Sequence, residues 1–369
     1  MSRPANRAAS VPLIDLGRVL ASQLIVWHHL TIYSPLQAQL DPLAPSLWSW
    51  LADPARMAVQ IFLVMGGYLA AMQWLPHPDA GDRLPPAALP RALWQRYLRL
   101  VPACIVALGA AVLSAELARW LTGDPNLPPT PSWSQWLINL LLLQDILGQD
   151  ALNAGLWYVA IDLQLFGLVL LIVALRHHAA WRGGLTFGLV LGLTVASLFG
   201  FNLRHELDAW ALYFFGSYGL GMLAAWVRNA RHRHHAWLGQ AFLAGVVLMA
   251  LSLAWRDRLV VAGVTALCLA NPWLNGPLWS RLAQWGPLPW LARTSYAVFL
   301  AHYPVCVLTG AVVSAFWPDT AVFSALGLLV TWALALLAGW ALHVGVEQQV
   351  KSWGRAPARL PTQALPAAR

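Results

Sequence analysis

Apolar runs of about twenty residues recur along this 369-residue chain, and they limit what it can fold into more than any motif does. The clear ones fall near 12–33, 55–75, 98–120, 156–175, 184–202, 209–227, 236–255, 259–272, 291–315 and 321–346. At about 1.5 Å rise per residue, twenty helical residues span the ~30 Å hydrocarbon core of a bilayer. Lipid offers no partners to backbone N–H and C=O groups, so only helices or closed barrels cross it. Strand-length alternation is absent, which argues against an outer-membrane barrel. Only 10% of residues are charged and 59% are apolar, against about 25% charged in a soluble domain. The expected fold is therefore all-α, a polytopic membrane bundle of about ten transmembrane helices. It occupies 12–350 as one domain, between a cytoplasmic tail at 1–11 and a flexible cytoplasmic tail at 351–369.

The net charge of +8 sets orientation and does not point to nucleic acid. Nearly all of it is arginine in short loops, Lys351 being the only lysine. With Arg3 and Arg7 inside, the loop holding Arg83, Arg91, Arg96 and Arg99 is also inside. The apolar segment 134–149 then decides the rest. If it is re-entrant or interfacial, Arg176, Arg182, Arg228, Arg231, Arg233 and the C-terminal tail all fall inside, as the positive-inside rule asks. Ten spans, both termini cytoplasmic, and a non-crossing 134–149 follow. Asp15 and Arg18 interrupt the first apolar run and no small-residue cleavage site follows, so a retained first span is expected rather than a signal peptide. Cys104, Cys268 and Cys306 lie in apolar segments without CxxC spacing and read as small buried hydrophobes. The cluster RNARHRHH (228–235) lacks the helical spacing and companion ligands of a zinc site, so no metal is expected; it reads as a basic loop near anionic lipid. Most of the 22 tryptophans lie near span ends, as interfacial anchors do.

Inside the first run, LIDLGRVLASQLIVWHHLTIY, Arg18 and His29 are eleven residues apart. Eleven steps of 100° close three turns plus about 20°, so both point to one helix face, roughly 16 Å apart along it. Asp15 falls near the same stripe. A charge in a membrane helix costs about 2.5–3.5 kcal/mol on insertion scales, so such residues face a partner or a wet cavity and mark function by default. Asp162 and Gln164, in an otherwise apolar run, need partners for the same reason, and Arg18 or an arginine of the third span can serve Asp162.

Several local patterns resemble one family. VPLIDLGRVLASQLIVWHHL resembles the opening helix of the membrane acyltransferase-3 family, an arginine, ten residues, then a histidine; Arg18 and His29 fit and His28 does not. IFLVMGGYL (61–69) resembles its FFxxSGF segment with Gly66 in place of serine. RYLRLVP (96–102) matches RxxRxxP. LWYVAIDLQLF (156–166) resembles LWSLxVExQFY with Asp162 for glutamate and Gln164 kept. TSYAVFLAHYPV (294–305) is similar to SYxxYLxHxPV, including His302. Glu347 sits where the last span ends in an acid.

The resemblance covers about 12–350. It implies an O-acyltransferase of the bacterial inner membrane, in a stand-alone form, moving an acyl group, commonly acetyl, from acyl-CoA to a hydroxyl of a sugar or envelope glycan. On that reading His29 is general base or acyl-carrying nucleophile, and the residues leave both roles open. Arg18, with Asp15 as counter-charge, binds an anion or carbonyl oxygen. Arg96 and Arg99, one turn apart, suit the phosphates of coenzyme A, or else snorkel at a span edge. Asp162, Gln164 and His302 are supporting residues, His302 as a second site residue or a hydrogen-bond donor. Two other classes fit the same residues: a transporter of a glycan, lipid or anionic solute using Arg18, His29 and Asp162, and a non-catalytic partner in envelope-polymer assembly.

Overall fold

The computed structural model describes residues 11–75, 88–177, 182–230 and 232–353. Most of the proline-rich 75–90 loop, Arg3, Arg7, and the tail beyond 353 lie outside these residues.

Fourteen helices, and no strand, make up the described chain: α1 (Pro12–Tyr33), α2 (Pro45–Ala52), α3 (Val59–Trp74), α4 (Leu89–Thr122), α5 (Trp133–Leu140), α6 (Leu156–His177), α7 (Arg182–Phe199), α8 (Ala211–Arg228), α9 (Arg233–Leu253), α10 (Asp257–Ala270), α11 (Pro277–Ala283), α12 (Leu288–Phe316), α13 (Ala321–Leu342) and α14 (Gln348–Trp353). A π-helical turn, His343–Glu347, joins α13 to α14. Proline in the first turn opens α1, α2, α4, α11 and α12, where its missing N–H costs nothing. Gly123 ends α4 in the left-handed conformation, φ 68°.

Seven helical segments are long and apolar enough to cross a membrane: Pro45–Trp74, Leu89–Thr122, Leu156–Arg176, Gly183–Leu203, Arg233–Leu253, Leu288–Phe316 and Ala321–Val350. The expected count of ten is not confirmed, and the three missing helices differ from the seven for separate reasons. α1 is long enough but carries Asp15, Arg18, Gln23, His28 and His29. α10 has 14 residues, about 21 Å at 1.5 Å each. α8 is rich in glycine and tyrosine because it lies at the centre, with 14 of its 18 residues buried. α9, apolar all round, has three of 21 buried. The outer α9 is apolar with little of it packed, whereas α8 is less apolar and almost wholly packed. Segment 134–149 forms only the eight-residue α5 followed by turns, about 12 Å of helix.

α3 and α8 cross at backbone contact. A Cβ on Gly67 would sit 1.8 Å from Tyr218 O, and one on Gly221 would sit 1.9 Å from Val64 O. Small residues permit such approach between helices that gain little from hydrophobic burial in lipid. α12 packs against α1, α4 and α13. Pro304 interrupts it and leaves the Leu300 carbonyl without its helical donor. Asn153, from the loop before α6, supplies one: its Nδ2 donates to Leu300 O at 3.0 Å. That bond pins the 141–155 loop to α12 two residues from His302.

Candidate functional site

The two ends of α1 carry two distinct sets of polar residues. At its N-terminal end Arg18 Nη1 lies 3.4 Å from Asp15 Oδ1, both side chains about a third exposed. Nearby, Arg96 on α4 grips Asp162 on α6 with both prongs: Nε to Oδ2 at 3.1 Å, Nη2 to Oδ1 at 2.8 Å and to Oδ2 at 2.6 Å. The Arg96 guanidinium also lies over the Phe166 ring, 5.3 Å from its centroid. Asp162 thus has its partner in the third-span arginine. Arg99, one turn on, interacts electrostatically with Arg96, Glu347, Arg18 and Asp162. Glu347 itself receives His343 Nδ1 at 2.5 Å across the π turn. Pi turns of this kind are frequent at functional sites.

Gln164 is occupied elsewhere. Its Nε2 donates to Ala209 O (3.0 Å) and its Oε1 accepts from Ala211 N (2.9 Å), holding the backbone at the start of α8. Tyr296 links α12 to α4 by donating to Leu100 O at 3.2 Å, and Gly66 faces the ring of Tyr218, whose Cε2 lies 3.2 Å from where a Cβ would stand. That ring fills the room a serine would need.

At the C-terminal end of α1 the groups are imidazoles. His29 and His302 are both buried, with His29 Nδ1 2.5 Å from His302 Nε2 and ring planes only 9° apart, as an in-plane hydrogen bond requires. His302 Nδ1 lies 3.2 Å from Val298 O. His28 Nδ1 is tied to Leu51 O on α2 at 2.9 Å. Both histidines of α1 line a cavity of about 600 Å³. Trp157, Phe214, Phe299, Tyr33 and Tyr303 give it aromatic walls. Arg56, Gln60, Asp145, His205, Asp208 and Arg258 give it a polar rim. Arg258 donates to the Tyr213 hydroxyl and lies over the same ring. Partial burial raises the Asp145 carboxyl above its ordinary range, helped by the charge of Asp208 and opposed by the hydrogen bond from Gln144.

The structure thus joins His29 to His302, and separates both from a second group made of Arg18, Asp15, Arg96, Arg99 and Asp162. The cavity rim was not foreseen. Asp145, His205 and Arg258 lie on short loops and helix ends with no motif. Asn153 had one sequence signal, the orphan carbonyl that Pro304 creates.

A multi-pass helical membrane protein with a buried histidine pair, one ring of which lines a polar, aromatic cavity, is the class that fold and site define. The family model described as "Acyltransferase domain" matches residues 11–340, so the chain belongs to the acyltransferase-3 family and is an acyltransferase. Comparisons with curated proteins and with solved structures give no match.

Proposed function

We propose that this membrane acyltransferase moves an acyl group, acetyl in the simplest case, from acyl-CoA to a hydroxyl of a sugar or envelope glycan, with His29 as general base. The observation that carries this reading is the state of His29: one ring nitrogen is engaged by His302, and the residue lines a cavity large enough for a sugar ring. The acceptor hydroxyl gives its proton to His29 Nε2 while its oxygen attacks the thioester carbonyl. The C–S bond then breaks, and the thiolate leaves and recovers the proton as CoA–SH. Histidine suits both transfers because its ordinary pKa lies near neutrality.

The donor enters at the opposite end of α1. Arg99 and Arg18 are the cations offered to its phosphates, since Arg96 spends its fork on Asp162. On the reading that the N-terminus is cytoplasmic, the donor docks from the cytoplasmic side of a bacterial inner membrane and the acceptor cavity opens on the outer side. The aromatic walls offer stacking faces to sugar rings, and the rim offers hydrogen bonds to their hydroxyls.

The test follows labelled acetyl-CoA in membranes expressing wild type, His29→Ala and Arg18→Ala. Label on a hydroxyl-bearing glycan with wild type, lost in His29→Ala, is the expected result. No transfer from wild type, across several acyl-CoA donors and a broad acceptor mixture, overturns the reading.

A further inference from the structure

The hydrogen-bond chain through His302 fixes where each proton sits. Val298 O can only accept, so neutral His302 carries its proton on Nδ1, 3.2 Å from that oxygen. The opposite tautomer would set two lone pairs against each other. His302 Nε2 is then a lone-pair nitrogen, and its 2.5 Å contact requires the proton of His29 to be on Nδ1. His29 Nε2 is left with its lone pair, the state a general base needs. Free imidazole side chains in water favour the other tautomer, with the proton on Nε2, so the protein must impose this one.

The scaffold around His302 is built to hold it. The residue is 1% exposed. One turn before it, Val298 supplies the acceptor; two residues after it, Pro304 removes a helical donor; and Asn153 satisfies the Leu300 carbonyl that this leaves open. We propose that His302 is a positioning residue that sets the tautomer of His29 and shares the charge His29 gains during transfer. The proposal rests on the reading of His29 as the base. When the acceptor's proton forms the new N–H at Nε2, the Nδ1 proton shifts along the short bond toward His302 Nε2. It returns when the thiolate takes the Nε2 proton, so neither ring is changed over a turnover.

Nitrogen-15 NMR on histidine-labelled protein in bilayers tests this, with the His29 signals assigned by their loss in His29→Ala. Wild type is expected to show a protonated, pyrrole-type Nδ1 and a pyridine-type Nε2 at His29. His302→Leu is expected to lose that pattern and to lower kcat about a hundred-fold, with KM for acyl-CoA unchanged. His302→Gln, whose amide oxygen can accept from Nδ1, is expected to restore the pattern and much of the rate. Should the leucine variant fail to accumulate, His302→Asn, whose shorter amide cannot reach, replaces it. A wild-type His29 protonated at Nε2, or a pattern unchanged by removing the acceptor, overturns the inference and leaves the acyl-transfer reading standing. Transfer retained by His29→Ala instead overturns the base reading beneath it.

Discussion

The two ends of α1 handle buried polarity in opposite ways. At the Asp15–Arg18 end, charges are compensated by charges, most fully in the bidentate Arg96–Asp162 pair. At the His29 end, neutral rings are joined by hydrogen bonds in a chain that ends on a backbone carbonyl and opens on a cavity. An ion pair buried in low dielectric holds geometry but resists gaining or losing a proton. A neutral imidazole chain offers a lone pair to an incoming proton and a second ring to share the charge. On the proposed function, the contrast gives holding to one end and proton transfer to the other.

The largest effect is expected where the contrast is sharpest. His29→Ala should lower acyl transfer by about 10³-fold, within the range of a lost general base, a loss far larger than its modest fall in melting temperature in detergent explains. His28→Ala, which removes a bond to Leu51 O but not the His302 chain, should stay within about ten-fold. Equal losses from the two would break the assignment, because both residues line the cavity and only one engages His302.

At the other end the damage should fall on stability. The Arg96 and Asp162 side chains are 30% and 13% exposed. Removing one partner of such a pair costs about 3–5 kcal/mol, since the survivor is left buried and unpaired. Arg96→Ala and Asp162→Ala should each lower the melting temperature markedly. The double variant should lose less than the sum of the two. Additive losses would show that the pair is not coupled and that Arg96 is open to a ligand such as a phosphate.

How much of this contrast was legible in the sequence depends on range. Arg18, His29 and Asp15 share one helix, so a 3.6-residue period was enough to group them. The need of Asp162 for a cation, Arg18 or an arginine of the third span, followed from the cost of a lone charge in lipid, and Arg96 is the one that pairs with it. The His29–His302 bond spans 273 positions, and only the resemblance put both residues in one reading. The count of ten crossings is not confirmed, because α1, α8 and α10 are shorter or more polar than the seven segments that are long and apolar enough to cross. α8 is as central as any helix here, yet glycine and tyrosine give it little apolar signal. The cavity rim stayed illegible because its residues come from separate loops and helix ends with no shared period.

A smaller effect is expected at the cavity wall. Trp157 packs against Phe214 and Tyr158, 5.7 Å and 6.1 Å between ring centroids, and lines the cavity. Trp157→Leu should raise KM for the acceptor about ten-fold, as loss of a stacking face does, and leave KM for acyl-CoA unchanged. A rise in KM for the donor instead would place the thioester, rather than the sugar, against this wall, and would redraw which end of α1 receives which substrate.

The smallest effect concerns Gly66, where the family resemblance leads one to expect serine. A Cβ there meets Tyr218 Cε2 at 3.2 Å, closer than ordinary contact, while the next glycine meets backbone at 1.8 Å. A ring can swing by tenths of an ångström where a backbone cannot, so Gly66→Ser should cost about 1 kcal/mol, the low end for overpacking. Tyr218 adjoins the Arg96–Asp162 pair electrostatically, so any shift of its ring is felt at the holding end and not at His29. Gly66→Ser should therefore lower the melting temperature by a few degrees and leave kcat unchanged. A fall in kcat with no loss of stability would mean that the two ends communicate through α3 and α8, and the division of labour along α1 would have to be abandoned.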